Sequence, residues 1–521
     1  MQLPKFKNEP YTNWAEGNNR KLQEKEIAKL ESQFGKEYPN IINGERVYAG
    51  EKFNSLNPSN PKDVVGVFQK GTAGDALYAL DAAWKAFATW SKVPPDKRAA
   101  LLFKAAKIMR KRRFELNAAM VLEVGKSFPE ADADTAEAID FLEFYGREML
   151  RYAAVRPAVQ LPGEKDELVY LPLGVGVVIP PWNFPLAILA GMTTAAVVAG
   201  NTVVLKPSSD SPLIGFRFME VMEEAGLPKG VINFVAGPGA AVGDTLVVNA
   251  STRFIAFTGS KEVGIHINTE GARVQNGQIW LKRVIAEMGG KDSIIVDHET
   301  DIDEAVAGVT VSAFGFQGQK CSACSRVIVD EKIYDAFVDH LKKRVDDVTV
   351  GPAKELSNYV GPVINRRSME NVLRYIRIAQ EEGGRLVSGG EAGSGTTGDG
   401  YFVRPTVIAD VDPKGTIAQQ EIFGPVLAVI KARNFDDALS IANNTEFGLT
   451  GGVYSNNKKK IEKAREEFHC GNLYINRKCT GAMVGAHPFG GFNMSGTDSK
   501  AGGQDYLGLF LQAKSIATKL K

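Results

Sequence analysis

The chain has 521 residues, 44% of them apolar and 24% charged, a balance that excludes a disordered protein and exceeds what one core usually organises, so two or more domains are expected. Its 62 Lys and Arg offset 61 Asp and Glu, which leaves no basic stripe for nucleic acid or an anionic membrane and makes a small molecule the expected partner. The four cysteines, Cys321, Cys324, Cys470 and Cys479, are too few for a disulfide framework, and the N-terminus has no apolar signal-like run, so a cytoplasmic protein is expected.

Residues 73–93 and 95–127 place apolar side chains at i, i+3, i+4 and i+7, the spacing of amphipathic helices that cover one face of a sheet. From residue 174 the pattern alternates: GVGVVIP, a helical 185–199, NTVVLKP, a helical 212–225, GVINFVAG, a helical 239–249, RFIAFTGS and a helical 260–270. Short β-rich runs separated by helices imply right-handed βαβ units and a buried parallel sheet, a Rossmann-like wrapping. The uncharged run 185–205 is about the ~20 residues of a bilayer span. Its Gly200-Asn201 turn signal and the β-branched TVVL after it instead divide it into a buried helix and a buried strand. After EMGGKDSIIVD (287–297) the alternation restarts through a helical 301–316, SRVIVD, helical 331–347 and 366–382, and LAVIKA. This implies a second α/β domain. The stretch 383–400, rich in Gly, Ser and Thr, is expected as a surface loop.

The motif QGQKCSACSR (317–326) admits a metal site, a redox couple or one nucleophilic thiol beside a packed one. Structural zinc wants four ligands, and Cys470 and Cys479 are nine apart with only His469 and His487 near them. No metal is expected. A redox couple belongs at a helix N-terminus, whereas this motif follows a long helical stretch. A single nucleophile remains, and it needs a base. With five His, none in a hydrolase spacing, a carboxylate is the alternative, and Glu287 ends an apolar run just before Gly289-Gly290. PPWNFP (180–185) forms a stiff turn at the end of the first strand, where ligands of open α/β sheets bind, and Asn183 there can donate to an oxyanion. FTGSKEVG (257–264) ends a strand and opens a helix, a geometry that suits phosphate.

Together these segments resemble the NAD(P)-dependent aldehyde dehydrogenases over almost the whole chain, in order: PWNFP, KPSSDSP, FTGSKEVG, EMGGK, GQKCSACSR, EIFGPV, NNTEFGLTGGVYS and PFGGFNMSG. The resemblance implies Cys321 as nucleophile, Cys324 as packing, Asn183 as oxyanion donor and Glu287 as the base that activates the hydrolytic water. It implies NAD, with some NADP use, held by Pro181, Trp182, Lys206, Ser209, Gly259, Ser260, Val263, Gly289, Glu421 and Phe423. Ser209 departs from the glutamate of many NAD-selective members; losing that carboxylate removes a repulsion against a 2′-phosphate.

KCSA, the ending LYINRKCTGAMVGAHPFGG and AEAIDFLEFY (136–145) are similar to the branch of the family that oxidises glutamate 5-semialdehyde to glutamate in proline degradation. This implies that Ser322, Gly481 and Ala482 anchor the α-carboxylate, that Phe184 and Phe489 flank the chain, and that Glu137 and Lys320 complete the pocket. Another semialdehyde, such as succinic semialdehyde, is the nearest alternative; a non-catalytic protein on this scaffold is the alternative of a different class. The family resemblance divides the chain into a cofactor domain (1–149 and 171–290), a catalytic domain (291–489) and a β-flap (150–170 and 490–521) that pairs subunits into a homo-oligomer.

Overall fold

The computed structural model describes residues 3–154, 158–393 and 399–521. Two seven-stranded sheets organise them. In the first, five parallel strands run in the order Arg283–Glu287, Phe254–Thr258, Val175–Ile179, Thr202–Leu205 and Ile232–Phe234. The inner strands are buried on both faces, as their unbroken apolar runs require. The helices Ala187–Val198, Pro212–Ala225 and Lys261–Ala272 connect successive strands as the alternation predicts. The run 239–249 is a π turn, Gly239–Gly243, leading into the short helix Asp244–Val248. An antiparallel hairpin, Asn40–Ile42 with Glu45–Val47, extends the far edge. Its turn residues Asn43 and Gly44 sit at φ 53° and 73°, the left-handed pair whose twist suits a two-residue hairpin.

The second sheet runs Thr406–Ala409, Val426–Ala432, Cys324–Asp330, Asp292–Val296, Thr450–Tyr454 and Asn472–Ile475, all parallel. Arg385–Ser388 pairs antiparallel on its outer edge. That strand falls within the stretch 383–400 expected as loop; it is short and largely exposed, so only its pairing with a neighbour makes it a strand. Residues 394–398 of the same stretch lie outside the described residues. Helix Ala73–Trp90 packs mainly on Val175, Val177 and Val204 at one face of the first sheet, whereas Pro95–Lys111, Arg113–Val124 and Phe128–Ala153 bury their apolar stripes in the larger core with Val178, Val203 and Leu205 on the other, so the helices expected on one face divide between two. Ala73–Trp90 is opened by a capping box between Thr72 and Asp75. The uncharged run 185–205 is a buried helix and a buried strand, and among the described residues no helix is long and apolar enough to cross a membrane.

A two-stranded ribbon joins Glu164–Pro172 to Leu511–Lys519, antiparallel from Leu511 opposite Pro172 to Lys519 opposite Glu164. It is narrower than the expected flap. Residues 150–153 finish the helix Phe128–Ala153, residues 155–157 lie outside the described residues, and residues 490–510 fold back toward Glu287. The buried Tyr506, Leu507 and Phe510 of the last segment explain its retreat from solvent.

Candidate active site

Two cavities meet at one sulfur. A chamber is lined mainly by Phe141, Tyr145, Phe184, Phe489 and Tyr506, with the carboxyls of Glu137 and Glu287. A wider cleft runs along the carboxyl ends of the first sheet, the position at which open α/β sheets take ligands. Cys321, Thr258 and Met288 belong to both walls.

Cys321 lies ahead of the strand Cys324–Asp330, beyond a tight turn at Gly315–Gly318. Three successive residues of that turn, Phe316, Gln317 and Gly318, are left-handed at φ 49°, 57° and 67°, a strained run for two residues with side chains. Its neighbours hold it there. Gln317 Nε2 donates to the carbonyls of Gly125 and Pro362 at 3.0 and 2.8 Å. A Cβ on Gly318 would lie 2.4 Å from the Gly424 carbonyl oxygen, so only glycine fits. Asn183 Nδ2 donates to the Gln319 carbonyl at 3.0 Å, which fixes the amide beside the nucleophile loop while leaving its second N–H free of that bond. Below Phe184 lies Lys126, its Nζ 4.1 Å from that ring's centroid and 4.5 Å from that of Phe316, a cation–π clamp. Lys126 pairs with the equally buried Asp134 at 2.9 Å.

The electrostatics favour neutral groups. Burial pushes the Cys321 thiol well above its ordinary range, and the negative charges of Asp292, Glu421 and Glu287 push the same way. Burial likewise raises Glu287 to about 8, against the pull of hydrogen bonds from the Ser499 hydroxyl and the Gly491 N–H. Glu137 rises to about 8 by burial and by the charge of Asp134. Paired, strongly shifted groups in one cleft mark a reactive site. Cys324, by contrast, is fully buried and its thiol donates to the Arg326 carbonyl at 3.3 Å.

The cleft fits a dinucleotide. Ser260 caps the twelve-residue helix Lys261–Ala272, its hydroxyl accepting from the Val263 N–H, so that helix's amino end and free N–H groups face the cleft, a geometry that receives phosphate. Lys206 is buried there with, among the described residues, only the Pro207 carbonyl accepting from it, at 3.2 Å, and burial lowers it to about 8; an under-partnered ammonium suits hydroxyl or phosphate oxygens. Glu421, raised to about 7 by burial, accepts from the Gly290 N–H at 3.1 Å. It lies so close over Gly289 that a Cβ there would sit 2.1 Å from its Oε2. Phe423, left-handed at φ 57°, meets Trp182 edge-on at 5.5 Å.

All ten residues expected to hold a cofactor line this cleft, as does Asn183. Ser322, Gly481, Ala482, Phe184, Phe489 and Glu137 line the chamber together with Glu287. Lys320 does not: its Nζ turns away to Glu130 Oε1 at 2.7 Å, because a buried ammonium takes the nearest carboxylate. Sequence reasoning missed Phe141 and Tyr145, although with Glu137 they form an i, i+4, i+8 stripe on one helix. It also placed Ser499, Ala501 and Tyr506 in a flap, whereas Ser499 holds Glu287 and the other two line the chamber. Nothing local marks those three.

A half-buried thiol, a half-buried carboxyl and a fixed amide at the junction of a dinucleotide cleft and an apolar chamber define a class of oxidoreductase, and the sequence comparisons agree. The Aldehyde dehydrogenase family model matches residues 47–516, and the chain belongs to that family. Within it, the chain is 54% identical over 512 residues, 98% of its length and 99% of the relative, to the 1-pyrroline-5-carboxylate dehydrogenase of Geobacillus sp. (strain WCH70). A solved 1-pyrroline-5-carboxylate dehydrogenase from Thermus with bound NAD is 49% identical, with a TM-score of 0.97 and 100% of each chain covered. A betaine aldehyde dehydrogenase from Staphylococcus aureus in complex with NAD+ is 29% identical at a TM-score of 0.89, covering 96% of this chain and 97% of that one.

Proposed function

We propose that the protein oxidises glutamate 5-semialdehyde, the open form of 1-pyrroline-5-carboxylate, to glutamate with NAD, through a thioester on Cys321. The observation that carries this is the meeting of the two cavities at Cys321, with Gly481, Ala482, Ser322 and Glu137 gathered in the narrower one. The names of the relatives support the same substrate.

Cys321 gives up its thiol proton to water in the open cleft as Sγ bonds the aldehyde carbon, and the oxyanion so formed takes hydrogen bonds from Asn183 Nδ2 and the Cys321 N–H. Donors fixed beforehand stabilise developing charge without reorganising, and losing one typically costs about 2.7–4 kcal/mol. NAD, held by the cleft residues named above, supplies the hydride acceptor. Glu287, poised near pH 8, takes a proton from the water that opens the thioester and frees the carboxylic acid. At the far end of the chamber the Gly481 and Ala482 N–H groups and the Ser322 hydroxyl receive the α-carboxylate. The Glu137 carboxyl, neutral in an apolar wall, ionises against the α-ammonium, which returns the charge that burial suppresses. Phe184 and Phe489 pack on the methylenes between the two ends.

Residues 1–149 and 171–290 hold the cofactor in this scheme and 291–489 carry the nucleophile. The exposed ribbon of Glu164–Pro172 and Leu511–Lys519 offers an edge strand that pairing of subunits would cover. Four free thiols suit the reducing cytoplasm. With Ser209 in place of a carboxylate, NADP is also accepted. The test is an assay of NAD reduction with a panel of semialdehydes. Glutamate 5-semialdehyde should give the highest kcat/KM, and a higher value for succinic semialdehyde would refute the assignment.

A further inference from the structure

The segment ahead of the first helix, Gly17–Glu31, has no regular secondary structure over its described residues, yet it is fastened to two walls of the substrate chamber at once. Asn8 Nδ2 donates both to Asp140 Oδ2 at 2.8 Å and to the Val484 carbonyl at 3.0 Å. The Glu9 N–H donates to Asp140 Oδ1 at 2.7 Å, and the Tyr11 hydroxyl to Met483 Sδ at 3.4 Å. Thr12 donates to Asp132 through its N–H and its hydroxyl, each at 2.7 Å. Phe6 packs edge-on against Phe144, and a Cβ on Gly485 would lie 3.2 Å from the Phe6 ring.

The two ends of these contacts matter. Asp132, Asp140 and Phe144 belong to the helix Phe128–Ala153, which supplies Glu137, Phe141 and Tyr145 to the chamber. Met483, Val484 and Gly485 follow directly on Gly481 and Ala482, in a loop without helix or strand whose glycines at 481 and 485 are left-handed, at φ 77° and 80°. Within that loop Arg477 holds the carbonyls of Thr480 and Gly481 from the chain's own side. To the opposite wall the loop is joined by Gly485 packing on Phe144, by Gly502, which accepts from the Gly485 N–H and donates to the Tyr145 hydroxyl, and by the N-terminal segment, whose side chains bond both walls at once. This segment lies ahead of residue 47, where the match to the general family begins, while the relative at 54% identity covers 98% of the chain.

We propose that residues 6–12 form a strap that sets the distance between the Gly481–Ala482 amides and the Glu137 wall, which makes the N-terminal segment a determinant of specificity for the amino-acid head of the substrate. This inference rests on the glutamate semialdehyde reading above. N–H donors that grip a carboxylate depend on their placement, and a shift of about 1 Å is enough to lose much of the gain. The strap touches neither Cys321 nor Asn183 nor the cleft, so it acts on binding of one end of the substrate and not on the chemistry at the other. Asn8 and Tyr11 are therefore positioning residues.

The experiment compares the full-length protein with Asn8→Ala and, as a milder change that keeps the ring, Tyr11→Phe. Each is assayed with glutamate 5-semialdehyde and with pentanal, an uncharged aldehyde of the same chain length, and NAD binding is titrated as a check on folding. Asn8→Ala should lose about tenfold in kcat/KM for glutamate 5-semialdehyde, mostly through KM, with pentanal and NAD binding unchanged; Tyr11→Phe should shift the same ratio by less. Equal losses with both aldehydes, or no loss with either, would overturn the strap. If the unaltered protein shows no preference for glutamate 5-semialdehyde over pentanal, the reading of the substrate fails and the strap with it. A preference that persists undiminished in both variants refutes the strap alone.

Discussion

The cleft and the chamber that share Cys321 are made in opposite ways. One side of the cleft is assembled from the ends of successive strands of the first sheet, with glycine at Gly259 and Gly289, and the other side is closed by Arg367, Tyr375, Glu421 and Phe423 from the second α/β domain. The chamber is assembled from side chains on segments far apart in sequence: Glu137, Phe184, Cys321, Gly481 and Tyr506. A common cofactor is met by a framework that the fold itself provides, whereas a particular substrate is met by side chains that can be exchanged without disturbing the sheet. Mutations on the two sides should therefore separate cleanly, except where the cavities join.

The junction gives the largest effects. Cys321→Ala should reduce turnover by about 10⁴-fold or more and leave NAD binding intact, whereas Cys324→Ala should keep most activity because its buried thiol meets the Arg326 carbonyl and Cys479 and lines neither cavity. Steady-state assays and NAD titration of both variants test this. Asn183→Ala should lower kcat by about 10²–10³ with little change in KM for NAD, and an unaltered kcat would remove the amide from the oxyanion site. Glu287→Gln should slow thioester hydrolysis by about 10²–10⁴ and leave a burst of NADH equal to the active sites in rapid-mixing experiments. The carboxyl is raised to about 8 by burial and works as a base only when ionised, so activity should climb with pH through about 8. That limb should vanish in Glu287→Gln.

Away from the junction the effects are smaller and one-sided. Ser322→Ala should raise KM for glutamate 5-semialdehyde about tenfold, the cost of one hydrogen bond to a charged group, without affecting an uncharged aldehyde. Ser209→Glu should act only in the cleft and weaken NADP several-fold relative to NAD, by repulsion of the 2′-phosphate. A variant on one side that changes the ligand of the other would break the separation.

The same contrast governs what the sequence reveals. The alternation from residue 174 and the turns PWNFP and FTGS mark strand ends, so the place of the cleft was legible, while Lys206, Ser209, Glu421 and Phe423 came with the family resemblance. The chamber was legible only where the family resemblance supplied it, and Lys320 was misplaced because spacing does not say which carboxylate a buried lysine will meet. Ser499 and Tyr506 sit where the C-terminal segment returns over Glu287, a long-range contact with no local signature. The left-handed Phe316 and Gln317 are equally silent, since neither residue type favours that conformation.

The most direct test is to quench Glu287→Gln during turnover with glutamate 5-semialdehyde and NAD, then map the added mass by peptide mass spectrometry. The account predicts one glutamyl group, bound as a thioester on Cys321 itself, assigned by fragmentation of the peptide that also holds Cys324, and released by hydroxylamine. A group found instead on Cys324 or Cys479, or no covalent adduct while NADH still forms, would contradict it.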